Sequence, residues 1–246
     1  TSINKHEVMA MRQFAEEELG VEFKMDGQIN PRIDCSQSPL AVRLTPEEVV
    51  ALDMASPKVK AEYLKLANRD LEGPATLSRI DTMYFCGGGM NSFALNAYGE
   101  IGICVISQQE TFNIRNAGVK AVWESSLLEL RNRPRTRRTK CIECRLQAIC
   151  GMCPANGEME NGDRESPVEF LCHVAHLRAA VLGVGVPAHG KCEFCAGGIQ
   201  HDEILDSAQR IAKKEIDAEG WTGLQHLLPV LNNVSPVVSG CGNCGH

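Results

Sequence analysis

Twelve of the 246 residues are cysteine, and eight of them fall in pairs two residues apart: Cys141/Cys144, Cys150/Cys153, Cys192/Cys195 and Cys241/Cys244. Such spacing lets one turn present two thiolates to a single metal while amide N–H groups of the turn donate to sulfur and stabilise its charge. A structural disulfide framework spreads its partners more widely. The first residues, Thr1 to Glu7, carry no basic n-region, apolar h-region or small-residue cleavage site. A reducing, cytoplasmic, metal-bound chain is the expectation. The densest run, Cys141-x2-Cys144-x5-Cys150-x2-Cys153, leaves five residues between its two pairs. A zinc ribbon needs a hairpin of about 15–20 residues there, so that two knuckles can face each other. Iron–sulfur clusters tolerate closer spacing, because their ligands go to different corners of a cube. The run therefore points to clusters, with structural zinc as the alternative.

The elements that must carry these thiols can be read from periodicity and caps. Residues 4–20 predict a helix, with Asn4 and Glu7 as a cap pair, Val8, Met11, Phe14, Ala15 and Leu19 on one face, and Gly20 after the last turn. Val21, Phe23 and Met25 alternate as in a strand. Residues 28–44 read as loop, and Thr45-Pro46-Glu47-Glu48 opens a second helix with an N-cap, a first-turn proline and a capping-box glutamate. Residues 58–69 continue as helix, and Gly73-Pro74 is the expected domain boundary. Two apolar runs around Asn96–Gly99 predict a β-hairpin with Cys86 before one strand and Cys104 within the other. Residues 119–131 predict a helix, followed by six cations between Arg131 and Lys140. A further helix surrounds Cys172, His173 and His176.

Composition sets the limits. Apolar residues make up 43% and charged residues 23%, which suits a globular chain, while aromatics reach only 5%. A formal charge of −6 argues against a general nucleic-acid binder. No apolar stretch approaches 18 residues, so no membrane span is expected.

The cysteine order extends beyond the dense run. Cys86 is followed by twelve residues, Gly99, four residues and Cys104, and Cys172 closes the series after Cys153. This pattern resembles the seven-cysteine SPASM region found C-terminal to the barrel of radical S-adenosylmethionine enzymes, and it covers residues 81–178. The resemblance implies an α/β end of a partial (β/α) barrel over residues 1–56 and a linker over 57–80. It implies a small α+β cysteine-rich SPASM domain over 81–178, with a C-terminal extension over 179–246. It further implies two auxiliary 4Fe–4S clusters. By position, Cys86, Cys104 and Cys153 serve the first, and Cys141, Cys144, Cys150 and Cys172 the second. Cys153 then reaches back to one cluster while its neighbours hold the other.

The sequence departs from the family in three ways. Two residues, where many members have three, separate Cys150 from Cys153. No additional cysteine lies near Cys86, which leaves the first cluster an open iron or a fourth ligand from Cys35 or Cys192. The family's C-x3-C-x2-C loop, which binds S-adenosylmethionine and a third 4Fe–4S cluster, is not in these residues, so the chain alone is not expected to cleave S-adenosylmethionine. The expected partners are a peptide or protein substrate, a barrel half supplied upstream or by another chain, and a flavodoxin or ferredoxin as electron donor. Relatives of this kind crosslink peptides or oxidise a protein side chain, with the auxiliary clusters positioning substrate or accepting an electron. A stand-alone electron-transfer module and a zinc-stabilised binding domain are the alternatives.

The remaining candidates carry bland readings beside sharp ones. Cys192/Cys195 and Cys241/Cys244 suit a four-cysteine zinc site, a third cluster, a redox dithiol or a disordered tail equally. For His173 and His176, a helix face with one hydrogen bond to a ligand is favoured over ligation. The basic run reads as a solvated linker offsetting thiolate charge, with an acidic leader peptide or a phosphate as the alternative.

Overall fold

The computed structural model describes residues 1–72 and 81–221. It is rich in helix, with one small antiparallel sheet. Gly73-Pro74 and the Cys241/Cys244 pair lie outside the described residues.

The chain starts with a helical run, a tight turn at Lys5–Glu7 leading into α1 (Val8–Gln13) and a wider turn at Phe14–Glu18. Asn4 stands at its start without a side-chain cap. The expected apolar face is only partly covered: Val8 is buried, but Met11, Phe14 and Leu19 are exposed. No strand forms at residues 21–25, although exposure does alternate there, with Phe23 and Met25 half-buried between exposed neighbours. A strand requires a neighbour for its ladder, and none of the described residues pairs with this segment.

The helices with complete local signals form where expected. In α2 (Pro46–Met54) the Thr45 hydroxyl accepts the Glu48 N–H while the Glu48 carboxylate accepts the Thr45 N–H. α3 spans Pro57–Glu72 and packs on α2 and, further on, α6 and α8.

The hairpin pairs β1 (Ala94–Leu95) with β2 (Glu100–Gly102), and β2 also pairs with β3 (Thr111–Asn113) in the order β1-β2-β3, with Ile101 opposite Leu95 and Phe112. Asn96 Oδ1 accepts the N–H groups of Tyr98 and Glu100, and Gly99 takes φ +80°, so this turn is specified by its own residues. Cys104 lies in a bend beyond β2, not within the strand.

α4 (Ile114–Val122) starts on an Asn113 cap but breaks at Gly118, whose φ is 77°. The helical run after the break continues through a wide turn at Trp123–Leu127 into α5 (Leu128–Arg131). A short α6 (Gln147–Cys150), α7 (Pro154–Asn161), α8 (Glu169–Val181) and α9 (His201–Ala212) complete the described elements.

Three apolar cores hold these pieces. One joins α2, α8 and α9, with Val50, Leu52, Leu177, Ile204 and Trp221 buried together with Cys192 and Cys195. A second lies under the hairpin, from Tyr84, Ile101, Ile103, Leu127 and Leu130. The third sits between α3, α6 and α8 and contains Ala67, Cys144, Leu146, Ile149 and Ala175. Thiol-bearing segments therefore belong to the packed interior. No helix of the described residues is long and apolar enough to cross a membrane.

The basic run is not a solvated linker. Arg131 is buried and donates to Gly88 O at 2.7 Å, and Arg133 makes a two-pronged bond to Glu110. Arg135 donates to Thr82 O, and Arg137 and Lys140 pair with Asp163 and Glu193. The charges tie the hairpin to the segments around α7 and α8. Arg135 and Lys140 also face the thiols of Cys141 and Cys172, so the offset of sulfur charge does operate at these two positions.

Candidate metal centre

No disulfide joins any two of the described cysteines. The thiols of residues 86–172 fall into two neighbourhoods. Cys153 is close enough to Cys104 and Cys86 for each to raise its pKa electrostatically. Cys150, only three residues earlier, is raised instead by Cys144 and Cys141, after the larger effect of its own burial, which together push it up to about 12. Cys172 is raised by its hydrogen bond with Cys192, by burial and, more weakly, by Cys150. A cavity runs along this seam, lined by Cys141, Cys144, Cys150, Cys153 and Cys172, with His176 and His189 at its wall.

Local backbone explains how neighbours three residues apart face different ways. Gly151 takes φ +75° and ends α6, which turns the chain back; the Met152 N–H then lowers the Cys150 pKa against the larger effect of burial. Cys153 then stands in extended conformation at the N-terminus of α7, where the backbone N–H groups of Asn156 and Ala155 lower its pKa against the larger effect of burial. The Leu146 N–H donates to Cys144 Sγ at 3.4 Å. Amide donors on sulfur stabilise a thiolate and suit cluster or metal ligation. Burial raises the pKa of Cys141, Cys150 and Cys153, so binding of a cation there would release their protons. Such sulfur donors suit a metal ion or a cluster.

Around Cys86 the chain is held by glycine. A Cβ on Gly88 would lie 2.9 Å from Ile103 O, so only glycine lets the Cys86 turn approach the backbone beside Cys104. Cys86 itself is exposed. Cys35 is buried, with its sulfur 3.9 Å from Glu158 O. Cys192 is found with Cys141, Cys172 and His176.

A second arrangement was not anticipated from sequence. His176, His189, Cys192 and Cys195 are all buried, and one ligand atom from each lies within 4.8 Å of the other three. His176 Nε2 is 3.5 Å from Cys192 Sγ and 3.3 Å from Cys195 Sγ, and His189 Nδ1 is 3.3 Å from Cys195 Sγ. These four residues can hold a metal ion. The pKa of Cys192 is lowered, chiefly by hydrogen bonds from the thiols of Cys172 and Cys195. Hydrogen bonds with Cys144 and Cys192 push His189 up to about 10. His173 stays outside the group: its ring packs on Phe194 at 5.1 Å between centroids, and burial lowers its pKa. The reading of His176 as a plain helix-face residue is therefore corrected. In the sequence, the spacing His189-x2-Cys192-x2-Cys195 is the signal that points to His189.

No protein-family model, no curated protein and no solved structure matches the chain. What stands is a cysteine-rich helical chain with a small antiparallel sheet and a His/Cys group able to hold a metal ion.

Proposed function

We propose that this chain is the auxiliary iron–sulfur portion of a radical S-adenosylmethionine oxidoreductase acting on a peptide or protein. One observation carries the reading. Cys150 and Cys153 are three residues apart, yet the first shares its surroundings with Cys141 and Cys144 and the second with Cys86 and Cys104. That division supports the crossed ligand assignment, Cys86, Cys104 and Cys153 against Cys141, Cys144, Cys150 and Cys172. Clusters held there would supply one-electron chemistry, or an iron to position substrate, at a potential set by burial and N–H donors to sulfur.

The chain's own residues prepare the sites. The Leu146 N–H donates to Cys144 Sγ, the N–H groups of Met152, Ala155 and Asn156 lower the pKa of Cys150 and Cys153, and the α6–α8 core excludes water from Cys144. Arg135 and Lys140 offset part of the negative charge that bound thiolates bring. Cleavage of S-adenosylmethionine is left to a barrel half carrying the C-x3-C-x2-C loop.

Anaerobic reconstitution followed by iron and sulfide analysis and EPR tests the reading. Wild type should take up about eight irons with matching sulfide. Cys150→Ala and Cys153→Ala should each lose about half the iron, and the surviving EPR signals should differ between the two variants. Loss of the same signal in both variants, or iron without sulfide, would falsify the assignment.

A further inference from the structure

We infer that His176, His189, Cys192 and Cys195 form a mononuclear zinc site, separate from the cluster thiols, that fastens the segment before α9 onto α8. The inference goes beyond the cluster reading and does not depend on it.

Ligand spacing separates one ion from a cluster. Four ligands around one tetrahedral zinc, with Zn–S near 2.3 Å and Zn–N near 2.1 Å, leave neighbouring donor atoms about 3.6 Å apart. The contacts in the group are 3.3, 3.5 and 3.3 Å, and no pair of ligand atoms exceeds 4.8 Å. Thiolates on a 4Fe–4S cube stand about 6 Å apart, one per corner. A two-histidine, two-cysteine [2Fe–2S] centre puts the histidines on one iron and the cysteines on the other, so each nitrogen lies about 5.5 Å or more from each sulfur. Here His176 Nε2 lies close to both sulfurs at once, a spacing that one ion can satisfy and that neither cluster type allows. Two imidazoles and two thiolates form a borderline-soft tetrahedral set, which suits zinc.

The surroundings are built for ligation. His176 Nδ1 lies 2.7 Å from Cys172 O, one turn back on α8. A proton on Nδ1 is donated to that carbonyl, which leaves the Nε2 lone pair aimed at Cys192 and Cys195. Cys172 borders the group directly, with Sγ 3.7 Å from Nδ1 on the other side of the ring and a hydrogen bond to Cys192, but it is not one of the four mutually close ligand atoms. Behind the two cysteines the chain closes tightly: the Gly198 N–H donates to Cys195 O and the Gln200 N–H to Glu193 O. A Cβ at Gly198 would collide with Glu193 O, so the turn requires glycine there. The site thus binds one helical residue, His176, to a loop that holds little apolar mass besides Phe194.

Metal analysis of the full chain, purified anaerobically from medium containing both iron and zinc, tests the inference. Wild type should retain about one zinc per chain in addition to any iron and sulfide. Cys195→Ser and His189→Ala should each lose the zinc and keep the iron, whereas Cys141→Ser/Cys150→Ser should keep the zinc. Cobalt(II) substituted for zinc should give intense tetrahedral visible bands and a thiolate charge-transfer band whose strength matches two sulfurs. That spectrum is read in wild type and so decides the matter even where a variant does not fold. Iron and sulfide without zinc overturns the inference and leaves the cluster reading standing. Zinc without iron and sulfide does the reverse. Zinc lost from Cys141→Ser/Cys150→Ser but retained in His189→Ala, or a cobalt spectrum with four-thiolate intensity, also overturns it.

Discussion

Replacing Arg178 by methionine should expose the electrostatic joint beneath the thiol-bearing helices. Arg178 projects from α8, and its Nε donates to Asp53 of α2 at 2.8 Å. One Nη donates to Ile149 O of α6 at 2.7 Å, and the guanidinium lies 4.4 Å from the Tyr63 ring centre of α3. One side chain thus joins four helices, and only about a tenth of either charged side chain reaches solvent, 12% and 10%. Methionine fills similar volume but leaves Asp53 buried without its partner, which costs about 3–5 kcal/mol. For a chain of this size that is a fall of about 10 °C in Tm.

The loss should depend on pH, with a definite sign. Burial raises the Asp53 pKa even against the attraction of Arg178. An acid raised in the folded state supports folding fully below its unfolded value of about 3.9, and that support is lost as pH rises through the folded value. Without Arg178 the folded value moves higher still, which carries the loss into the neutral range. The gap between variant and wild type should therefore be full at pH 8.5 and shrink toward about 1–2 kcal/mol at pH 5.5, where a protonated Asp53 has lost only hydrogen bonds. Asp53→Asn/Arg178→Met should recover much of the stability at pH 8.5. Thermal and urea unfolding under anaerobic conditions measure all of this. A cost below about 1 kcal/mol, a gap that is flat or widens toward low pH, or a double variant worse than Arg178→Met would refute the reasoning.

Two further substitutions probe the supports of the site. Gly157→Ala puts a Cβ 2.6 Å from Ser166 O and 2.7 Å from Asp163 O, so α7 must shift from the following loop. A loss of about 1–3 kcal/mol is expected, and iron analysis should show depletion confined to the cluster that uses Cys153; unchanged stability would show that the contact relaxes freely. Glu110→Gln acts on a carboxylate held down to about 2 by Arg133, with Arg164 also donating. Because this group is partly exposed, the cost at pH 7 is about 1 kcal/mol. A carboxylate lowered on folding adds stability above its ordinary value of 4.5 that is lost as pH falls toward about 2. The difference from wild type should fade over that window in urea unfolding, and a constant difference would mean that Glu110 acts by packing alone.

Legibility in the sequence followed the range of the forces involved. Thr45 and Glu48 satisfy each other's backbone partners within one turn, so α2 could be read where it stands. Asn96 and Gly99 likewise specify the hairpin turn. The alternation at residues 21–25 carried no such guarantee, because a strand's hydrogen bonds belong to whichever chain lies beside it. Met11, Phe14 and Leu19 show the same limit for a helix: their spacing marks one face, but only packing decides whether that face is covered. The cations of residues 131–140 looked solvated because their partners, Glu110, Asp163 and Glu193, lie far along the chain.

By itself the sequence determined that two thiols with two residues between them can share a turn, since turn geometry is settled within a few residues. Tertiary structure alone decided which distant thiols meet, and it brought His176 of α8 to His189, Cys192 and Cys195 of the following loop. Those ligands are separated by up to 19 positions, and no local rule relates their side-chain directions. The packing of Phe194, Leu177 and Ile204 in a common core fixes them instead.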